Sequence, residues 1–348
     1  MPRGVGVIGA GPGVSALHLP TLARLPDHFR VVHVSDGGSG RAADLAARTA
    51  ARSSSHTAEL LADPEVEVVA LCSPPAGHAE ILRAAVAAGK RAILCEKPIA
   101  TTRPDADAVI EACRAAGTTL VVGTNHLYDA AWGRAKHYLT AMGGRVRTVS
   151  VTVSLPPNGR YHELVTDAAT TGAARPPGPG PDFGTPEVAA SVVRQLLTGL
   201  AIHDIPLLRD VAPRFDRVEF ARAIPPIGYL VGYSAGDVLV RLAAVMHGGG
   251  ADTLWRLSIS TDNDRVDVDF PPPFVHAGSA SVRVRADEGR WTTHAGEASD
   301  GYEDEWRSLA AILDDGVPTE YDELLADAHY AIDIADAAAA LIRTGEGS

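Results

Sequence analysis

The sequence predicts an α/β protein with two domains. The first is a doubly wound parallel sheet, and the second is an α+β domain with a large, mostly antiparallel open sheet. A length of 348 residues exceeds what a single hydrophobic core usually serves. Short apolar runs alternate with helical patterns up to residue 125, and runs in hairpin spacing dominate afterwards. We therefore predict domains at 1–125 and 126–348, with the C-terminal helix as a candidate to pack back on the first.

Five apolar runs predict the strands of the first domain. Their nearly continuous Val, Ile and Leu content is what burial on both faces of a parallel sheet requires. The predicted strands are residues 4–9, 30–36, 66–73, 91–96 and 119–123. Alanine and leucine recur at helical spacing between them, over residues 15–25, 41–52, 77–88 and 103–116.

The second domain begins with a predicted helix at 130–142 and a long strand at 145–155. Residues 166–186 are rich in Ala, Gly and Pro, which predicts a loop, either a lid or an uninvolved surface insertion. A single helix is predicted over 187–211. The remaining strands are expected at 217–224, 228–234, 238–245, 254–261, 266–270 and 281–285, and two closing helices at 303–315 and 321–344.

The net charge of −12 argues against a nucleic-acid partner, because an acidic chain is repelled by phosphate backbones. No apolar run reaches the roughly 18–20 residues that cross a bilayer, so no membrane partner is expected. The N-terminus leads directly into an apolar strand, and the three unclustered cysteines fit buried thiols in a reducing compartment. We therefore predict a cytoplasmic protein without a metal site.

The first predicted strand ends in a glycine-rich turn, which predicts a Rossmann dinucleotide site. Gly9 permits the tight turn, Gly11 lets the backbone approach a pyrophosphate, and the next helix offers its N-terminus to that anion. The third glycine of the usual Gly-x-Gly-x-x-Gly spacing would fall at Val14, whereas Gly13 comes one residue early. Five residues of this turn are predicted to bind the cofactor, namely Gly9, Gly11, Pro12, Gly13 and Val14.

The second predicted strand ends at Asp36, whose carboxylate favours NAD as the cofactor. A carboxylate there accepts hydrogen bonds from the ribose hydroxyls and repels a 2′-phosphate. Arg41 is the nearby cation that could form an ion pair with the 2′-phosphate, so NADP remains the alternative.

The third and fourth strands run into loops that open onto the crevice where doubly wound sheets bind ligands. Lys97 is noteworthy because the chain has only three lysines against 28 arginines, and Pro98 fixes the turn after it. The alternative for Lys97 is a solvated lysine at a strand end, and His78 is alternatively a simple helix-start residue. Cofactor contacts are predicted here from Ser73, Pro74, Pro75, His78, Glu96 and Lys97.

Together these motifs resemble the Gfo/Idh/MocA oxidoreductases over almost the whole chain. The resemblance rests on residues 9–22, on Ser73-Pro74-Pro75 with His78, on Glu96-Lys97-Pro98, on His203-Asp204 and on Gly316-Val317-Pro318. It implies hydride transfer between a nicotinamide dinucleotide and a secondary alcohol or ketone carbon of a sugar- or cyclitol-like substrate. It also implies that Lys97 holds the reacting oxygen, that His203 is the acid/base, and that the protein is a homodimer or homotetramer.

One departure from the family pattern concerns the residue four positions before the histidine. Many members have an aspartate there, whereas this chain has Gly199. Asp204 is rotated about 100° away on a helix, so it is a poor replacement. Another group such as Asp182, Tyr161 or His162 could orient His203, His203 could act alone, or catalysis could be lost.

The residues after the fifth strand lie where the family's substrate pocket begins. Tyr128 and Trp132 could stack on a sugar face or pack in the core, and Asn125 is expected to contact both cofactor and substrate. The full predicted substrate set is Lys97, Asn125, Tyr128, Trp132, His203 and Asp204. The resulting prediction is an NAD(H)-dependent dehydrogenase or ketoreductase, and the alternative is a dinucleotide-binding sensor or regulatory protein on the same fold.

Overall fold

The computed structural model describes residues 1–156, 181–247, 253–273, 275–286 and 289–345. The chain forms two compact units, the first made of Met1–Thr124 with Tyr302–His329 and the second of Asn125–Gly301 with Tyr330–Ser348. The first division falls one residue before the predicted boundary. The second falls within the last helix, so the end of the chain contributes to both units.

The first unit is built on a six-stranded parallel sheet with the order β3-β2-β1-β4-β5-β6. This confirms the predicted doubly wound sheet. The predictions missed β3 because its three residues are polar and mostly exposed at the sheet edge. The strands are β1 (Arg3–Ile8), β2 (Phe29–Ser35), β3 (Arg52–Ser54), β4 (Val68–Leu71), β5 (Ala92–Cys95) and β6 (Thr119–Val122).

The helices of this unit begin and end where local chemistry dictates. In α5, the Thr102 side chain caps the N-terminus by accepting from the Asp105 N–H, and Gly117 ends the helix in the left-handed region. A π-helical turn, Val14–His18, precedes α1, and α3 was not predicted. Within residues 1–124 the helices are α1 (Leu19–Arg24), α2 (Arg41–Thr49), α3 (Thr57–Ala62), α4 (His78–Ala87) and α5 (Arg103–Ala116).

The second unit contains an eight-stranded sheet with the order β14-β13-β12-β11-β7-β10-β9-β8. Among the described residues, only the β7–β10 pair of this sheet is parallel, so the sheet is mostly antiparallel, as predicted. The last strand, β14, was missed. The strands are β7 (Val146–Leu155), β8 (Arg217–Ala223), β9 (Ile227–Ala235), β10 (Val238–Met246), β11 (Leu254–Thr261), β12 (Arg265–Asp269), β13 (Ser281–Ala286) and β14 (Arg290–His294).

One face of this sheet carries the core of the second unit. Alternate residues of β7, Val149, Val151 and Val153, are buried in that core, as the period of two along a strand requires. The other helices are α6 (Asn125–Tyr128), α7 (Ala130–Met142), α8 (Pro186–Gly199), α9 (Ile205–Val211), α10 (Gly301–Asp315) and α11 (Tyr321–Thr344).

The single helix predicted over 187–211 is wrong, because the chain breaks between α8 and α9. A 3-10 turn, Ala201–His203, separates them. In the described ranges, no single helix is long and apolar enough to cross a bilayer. The pair Pro186–His203 and Ile205–Val211, bent by 71°, meets that criterion only jointly, by length and composition.

Candidate active site

The glycine-rich turn after β1 leaves open space where a dinucleotide is expected. Gly9 has φ +105°, and a Cβ there would lie 2.5 Å from the Cys72 carbonyl oxygen, so only glycine fits. At Gly11 and Gly13, by contrast, an added Cβ would meet no atom within 4 Å. The two glycines therefore leave room for a ligand to approach the backbone closely.

Val14 does not leave open space for a ligand as a third glycine in this turn would. Its side chain is 1% exposed and its N–H donates to the Gly11 carbonyl across 3.0 Å. Both its side chain and its backbone donor are engaged within the protein, and the contact of Val14 with the cofactor stays a prediction.

Asp36 lies at the carboxyl end of β2, as predicted. Its carboxylate accepts from both the backbone N–H and the hydroxyl of Ser39, which fixes its orientation in a loop where Gly38 and Gly40 have positive φ. Arg41 is exposed at the start of α2. This edge of the sheet thus offers one fixed carboxylate and one exposed cation.

The loop after β4 contains an unsatisfied polar atom, which fits a missing ligand. Among the described residues, Ser73 Oγ is buried without a hydrogen-bond partner, and such atoms are uncommon in folded proteins. Pro74 and Pro75 follow it and are exposed. A dinucleotide passing along this loop would supply the partner that Ser73 lacks.

His78 connects two loops by hydrogen bonds, and its side chain is fully buried. The side chain is 0% exposed, with Nδ1 bonded to the Pro98 carbonyl and Nε2 to the Ser73 carbonyl, each across 2.7 Å. The contact of His78 with the cofactor stays a prediction, although both ring nitrogens are engaged by backbone carbonyls here. Its place in the interior holds the loop after β4 against the turn after β5.

Glu96 and Lys97 follow β5 in a turn that ends with a cis Lys97–Pro98 peptide bond. Glu96 accepts from His18 Nε2 across 2.9 Å and from the Lys97 N–H across 3.3 Å. Burial acts to raise the pKa of Glu96, but the His18 hydrogen bond and the Lys97 charge outweigh it and lower that pKa. Burial lowers the pKa of Lys97, and the Glu96 carboxylate opposes this.

His18 is a residue of this site that the sequence did not single out. The Trp306 indole N–H donates to its Nδ1 across 3.2 Å. Because an indole N–H can only donate, the His18 proton lies on Nε2 and points at Glu96. His18 stands in the stretch 9–22, but its partners are 78 and 288 residues away, so no local pattern reveals them.

In the second unit, His203 is oriented by Asn125. The His203 Nδ1 lies 2.6 Å from the Asn125 Oδ1, and both residues are largely buried. The ring also contacts Trp255 edge-on, with centroids 5.5 Å apart, and His126 at 5.4 Å. The histidine thus has a defined hydrogen-bond partner and two aromatic neighbours.

Two predicted substrate residues belong to the interior of this unit. Asp204 is 0% exposed, and its carboxylate accepts from the Trp255 indole and bonds His126 Nδ1 at 3.0 Å. Trp132 is 1% exposed and donates to Asp210. Neither side chain is exposed in this structure, and their contacts with a substrate stay predictions, whereas Tyr128 is half-buried at the end of α6.

Gly199 ends α8, and its environment would accept a side chain. It has no positive φ, and an added Cβ would meet nothing within 4 Å. Of the predicted substitutes, Asp182 is exposed and accepts from the Gly184 N–H and the Thr185 hydroxyl in the turn before α8. Tyr161, His162 and most of the predicted loop 166–186 lie outside the described residues.

The described part of the chain holds no cluster of three or more His, Cys, Asp or Glu side chains suited to a metal ion.

Comparison with known proteins finds a match to one family in the first unit. Residues 3–124 match the family GFO_IDH_MocA, described as an oxidoreductase family with an NAD-binding Rossmann fold. Inositol 2-dehydrogenase 2 of Saccharopolyspora erythraea is 33% identical over 211 residues, which cover 60% of this chain and 53% of the relative. The 1,5-anhydro-D-fructose reductase of Ensifer adhaerens is 41% identical over 105 residues, 29% of this chain and 31% of the relative.

The chain therefore spans about half the length, or less, of these curated relatives. A solved structure extends the likeness in fold to almost the entire chain. The 3-ketoreductase KijD10 of Actinomadura kijaniata, in complex with TDP-benzene and NADP, has a TM-score of 0.73. The alignment covers 97% of this chain and 96% of that one at 19% identity.

Proposed function

Residues 3–124 match the GFO_IDH_MocA oxidoreductase family, and from this premise we propose that the chain belongs to that family and is an NAD(H)-dependent dehydrogenase or ketoreductase. The match supports, over residues 3–124, the resemblance inferred from the sequence. The observation that carries the proposal is the set of features around the glycine-rich turn: open space at Gly11 and Gly13, the fixed Asp36 carboxylate and the buried, unpartnered Ser73 hydroxyl.

These residues fit a nicotinamide dinucleotide. We propose that the turn Gly9–Gly13 binds the pyrophosphate through its backbone, that Asp36 binds the adenosine ribose, and that Ser73 donates to the cofactor. Pro74 and Pro75 then line the same loop. When bound, the dinucleotide accepts or supplies the hydride.

Lys97 is proposed to hold the reacting oxygen. A protonated lysine stabilises the negative charge that develops on that oxygen as hydride leaves or arrives. Burial lowers the pKa of Lys97, and the neighbouring Glu96 carboxylate, which is hydrogen-bonded to His18, opposes this and favours the protonated form.

His203 is proposed as the acid/base. Alcohol oxidation needs a group that takes the hydroxyl proton, and ketone reduction needs the same group to return it. An imidazole titrates near neutral pH, and such a group typically contributes on the order of 10²–10⁴-fold to the rate.

The proposed substrate is a polyol, cyclitol or keto-sugar. Two relatives are named an inositol dehydrogenase and an anhydrofructose reductase, and these names support this class. Inositol is a cyclitol with secondary alcohol carbons, and anhydrofructose is a keto-sugar. A second candidate function, a dinucleotide-binding sensor, is favoured by one observation, the absence of a side chain at Gly199.

A homodimer or homotetramer is also proposed. The face of the eight-stranded sheet opposite its core exposes three leucines, Leu230, Leu239 and Leu254, each 37–40% accessible. Sedimentation equilibrium of the full chain tests this proposal, and a monomer at micromolar concentration would refute it.

The enzymatic proposal is tested by incubating the full chain with NAD⁺ or NADP⁺ and a panel of cyclitols and sugars, and with reduced cofactor and keto-sugars. The absorbance of the reduced nicotinamide reports turnover. For an active substrate, Lys97→Ala should lower kcat by about 10²-fold or more while dinucleotide affinity persists. Unchanged turnover in that variant would contradict the mechanism, and dinucleotide binding without turnover of any substrate would favour the sensor.

A further inference from the structure

We infer that Asn125 is the positioning residue of His203, in place of the carboxylate missing at position 199. Its carboxamide oxygen holds the imidazole in the tautomer that carries the proton on Nδ1. The acid/base role of the other nitrogen, Nε2, follows from this tautomer and rests on the proposed function.

The hydrogen bond itself fixes the tautomer. The two atoms, His203 Nδ1 and Asn125 Oδ1, are 2.6 Å apart. A carboxamide oxygen can only accept, so Nδ1 is the donor and a neutral imidazole then has its lone pair on Nε2. Because His203 and Asn125 are 7% and 8% exposed, water competes little for this bond.

Asn125 is itself held in place from its backbone side. A Cβ added at Gly301 would lie 2.0 Å from the Asn125 carbonyl oxygen and 3.3 Å from its Cβ. Only glycine permits this contact, and the close packing restricts where the Asn125 side chain can point. The first residue of α6 is thereby directed at the 3-10 turn that ends in His203.

Aromatic neighbours restrict the imidazole from the other directions. The Trp255 ring meets it at 90°, with the centroids 5.5 Å apart, and the His126 ring lies at 5.4 Å with an interplanar angle of 41°. These rings, together with the Asn125 bond, define one orientation of His203.

Two titratable groups near His203, Asp204 and His126, are hydrogen-bonded to each other. The Asp204 carboxylate bonds His126 Nδ1 and the Trp255 indole, and the same carboxylate raises the pKa of Tyr229, after the larger effect of burial. The partner of His203 at Nδ1 is a neutral amide. An amide sets the tautomer as a carboxylate would, but it adds no negative charge beside the ring.

The tautomer is tested directly by NMR of the full chain labelled with ¹⁵N-histidine, at a pH where His203 is neutral. The His203→Gln variant identifies the His203 signals among the 13 histidines of the sequence. The ¹⁵N shifts should place the proton on Nδ1 in the wild type and show a mixture of both tautomers in Asn125→Ser, whose hydroxyl is too short to reach. A proton on Nε2 in the wild type, or an unchanged tautomer in Asn125→Ser, overturns the proposal.

Kinetics on any active substrate give a second test. Asn125→Ser should lower kcat on the order of 10- to 100-fold with a smaller change in KM, and it should cause little further loss in a His203→Gln background. Additive losses in the double variant would overturn the coupling, because they would show that Asn125 acts independently of His203.

The charged variant Asn125→Asp distinguishes a role of Asn125 in positioning His203 from a purely structural role. It keeps the acceptor, so it should retain most of the wild-type kcat. The new carboxylate should move the pH limb that reports His203 upward by about one to three pH units. An unmoved limb overturns the proposal. If the panel shows no turnover at all, the proposed function fails, while the NMR experiment still decides whether Asn125 sets the tautomer.

Discussion

His18 donates a hydrogen bond from Nε2 to Oε1 of Glu96 across 2.9 Å, and the bond joins the glycine-rich turn to the turn that carries Lys97. The link is possible because β1 and β5 both end at the same edge of the parallel sheet, separated only by β4. Trp306 fixes the His18 tautomer from the other side. The turn that carries Lys97 is thus held by a residue that follows the glycine-rich turn.

Replacement of His18 by phenylalanine should therefore impair both stability and turnover. The variant keeps a ring of similar size but removes the donor of Glu96 Oε1, while the Lys97 N–H still donates to Oε2. Loss of a hydrogen bond to a charged group costs about 1–3 kcal/mol. We expect the free energy of unfolding in urea to fall by that amount and kcat to fall about tenfold. His56→Ala, at an exposed histidine before α3, is the control and should change neither quantity.

The charge of Glu96 should control the alkaline limit of activity. The proposed role of Lys97 requires its protonated form, which is lost as the pH rises through its lowered pKa. Glu96→Gln removes the carboxylate that opposes this lowering, so the pKa of Lys97 falls further. The alkaline limb of kcat/KM should then move to lower pH in Glu96→Gln and stay in place in Glu80→Gln, an exposed site on α4. A shift to higher pH would contradict the assigned role of Glu96.

The sequence predicts the parts of this protein that depend on local pattern. Continuous apolar runs identified five strands of the first sheet, but β3 escaped because Arg52–Ser54 is short and polar. The helix break before His203 escaped as well, since the apolar pattern continues across Leu200 and Ile202.

Local sequence patterns do not reveal hydrogen bonds between residues that are distant in the sequence. Asp204 and His78 have residue types suited to a site, yet the fold commits their polar atoms to Trp255 and to two carbonyl groups. The pairing of Asn125 with His203, 78 residues apart, follows only from the tertiary structure.

The glycines of the cofactor turn should separate folding from binding. Gly9→Ala places a Cβ 2.5 Å from the Cys72 carbonyl at a positive φ, so the melting temperature should fall by several degrees. Gly11→Ala meets no protein atom and should leave the melting temperature unchanged. It should nevertheless weaken NADH binding about tenfold or more, measured by fluorescence titration, because the methyl group occupies the space proposed for the pyrophosphate. Unchanged NADH affinity in Gly11→Ala would argue against that location.

Introduction of the family carboxylate by Gly199→Asp should have little effect. The position is open and has no positive φ, so the fold should tolerate the side chain at a cost below about 1 kcal/mol from the helix C-terminus. Because Asn125 already occupies His203 Nδ1, we expect kcat within about threefold of the wild type and the same pH profile. A large gain in kcat with a raised acidic limb would instead show that Gly199 is what limits catalysis.

Asp36 should set the preference between the two nicotinamide dinucleotides. Its carboxylate, held by Ser39, is proposed to repel a 2′-phosphate, and Arg41 lies five residues on at the exposed start of α2. Asp36→Asn keeps the shape but removes the charge, so the affinity for NADPH should rise about tenfold and that for NADH should fall. Asp44→Asn, at an exposed site in the first turn of α2, is the matched control for loss of one negative charge. In the Asp36→Asn background, Arg41→Ala should abolish the gain for NADPH. A wild-type protein that already binds NADPH more tightly than NADH would show that the Asp36 carboxylate does not exclude the phosphate.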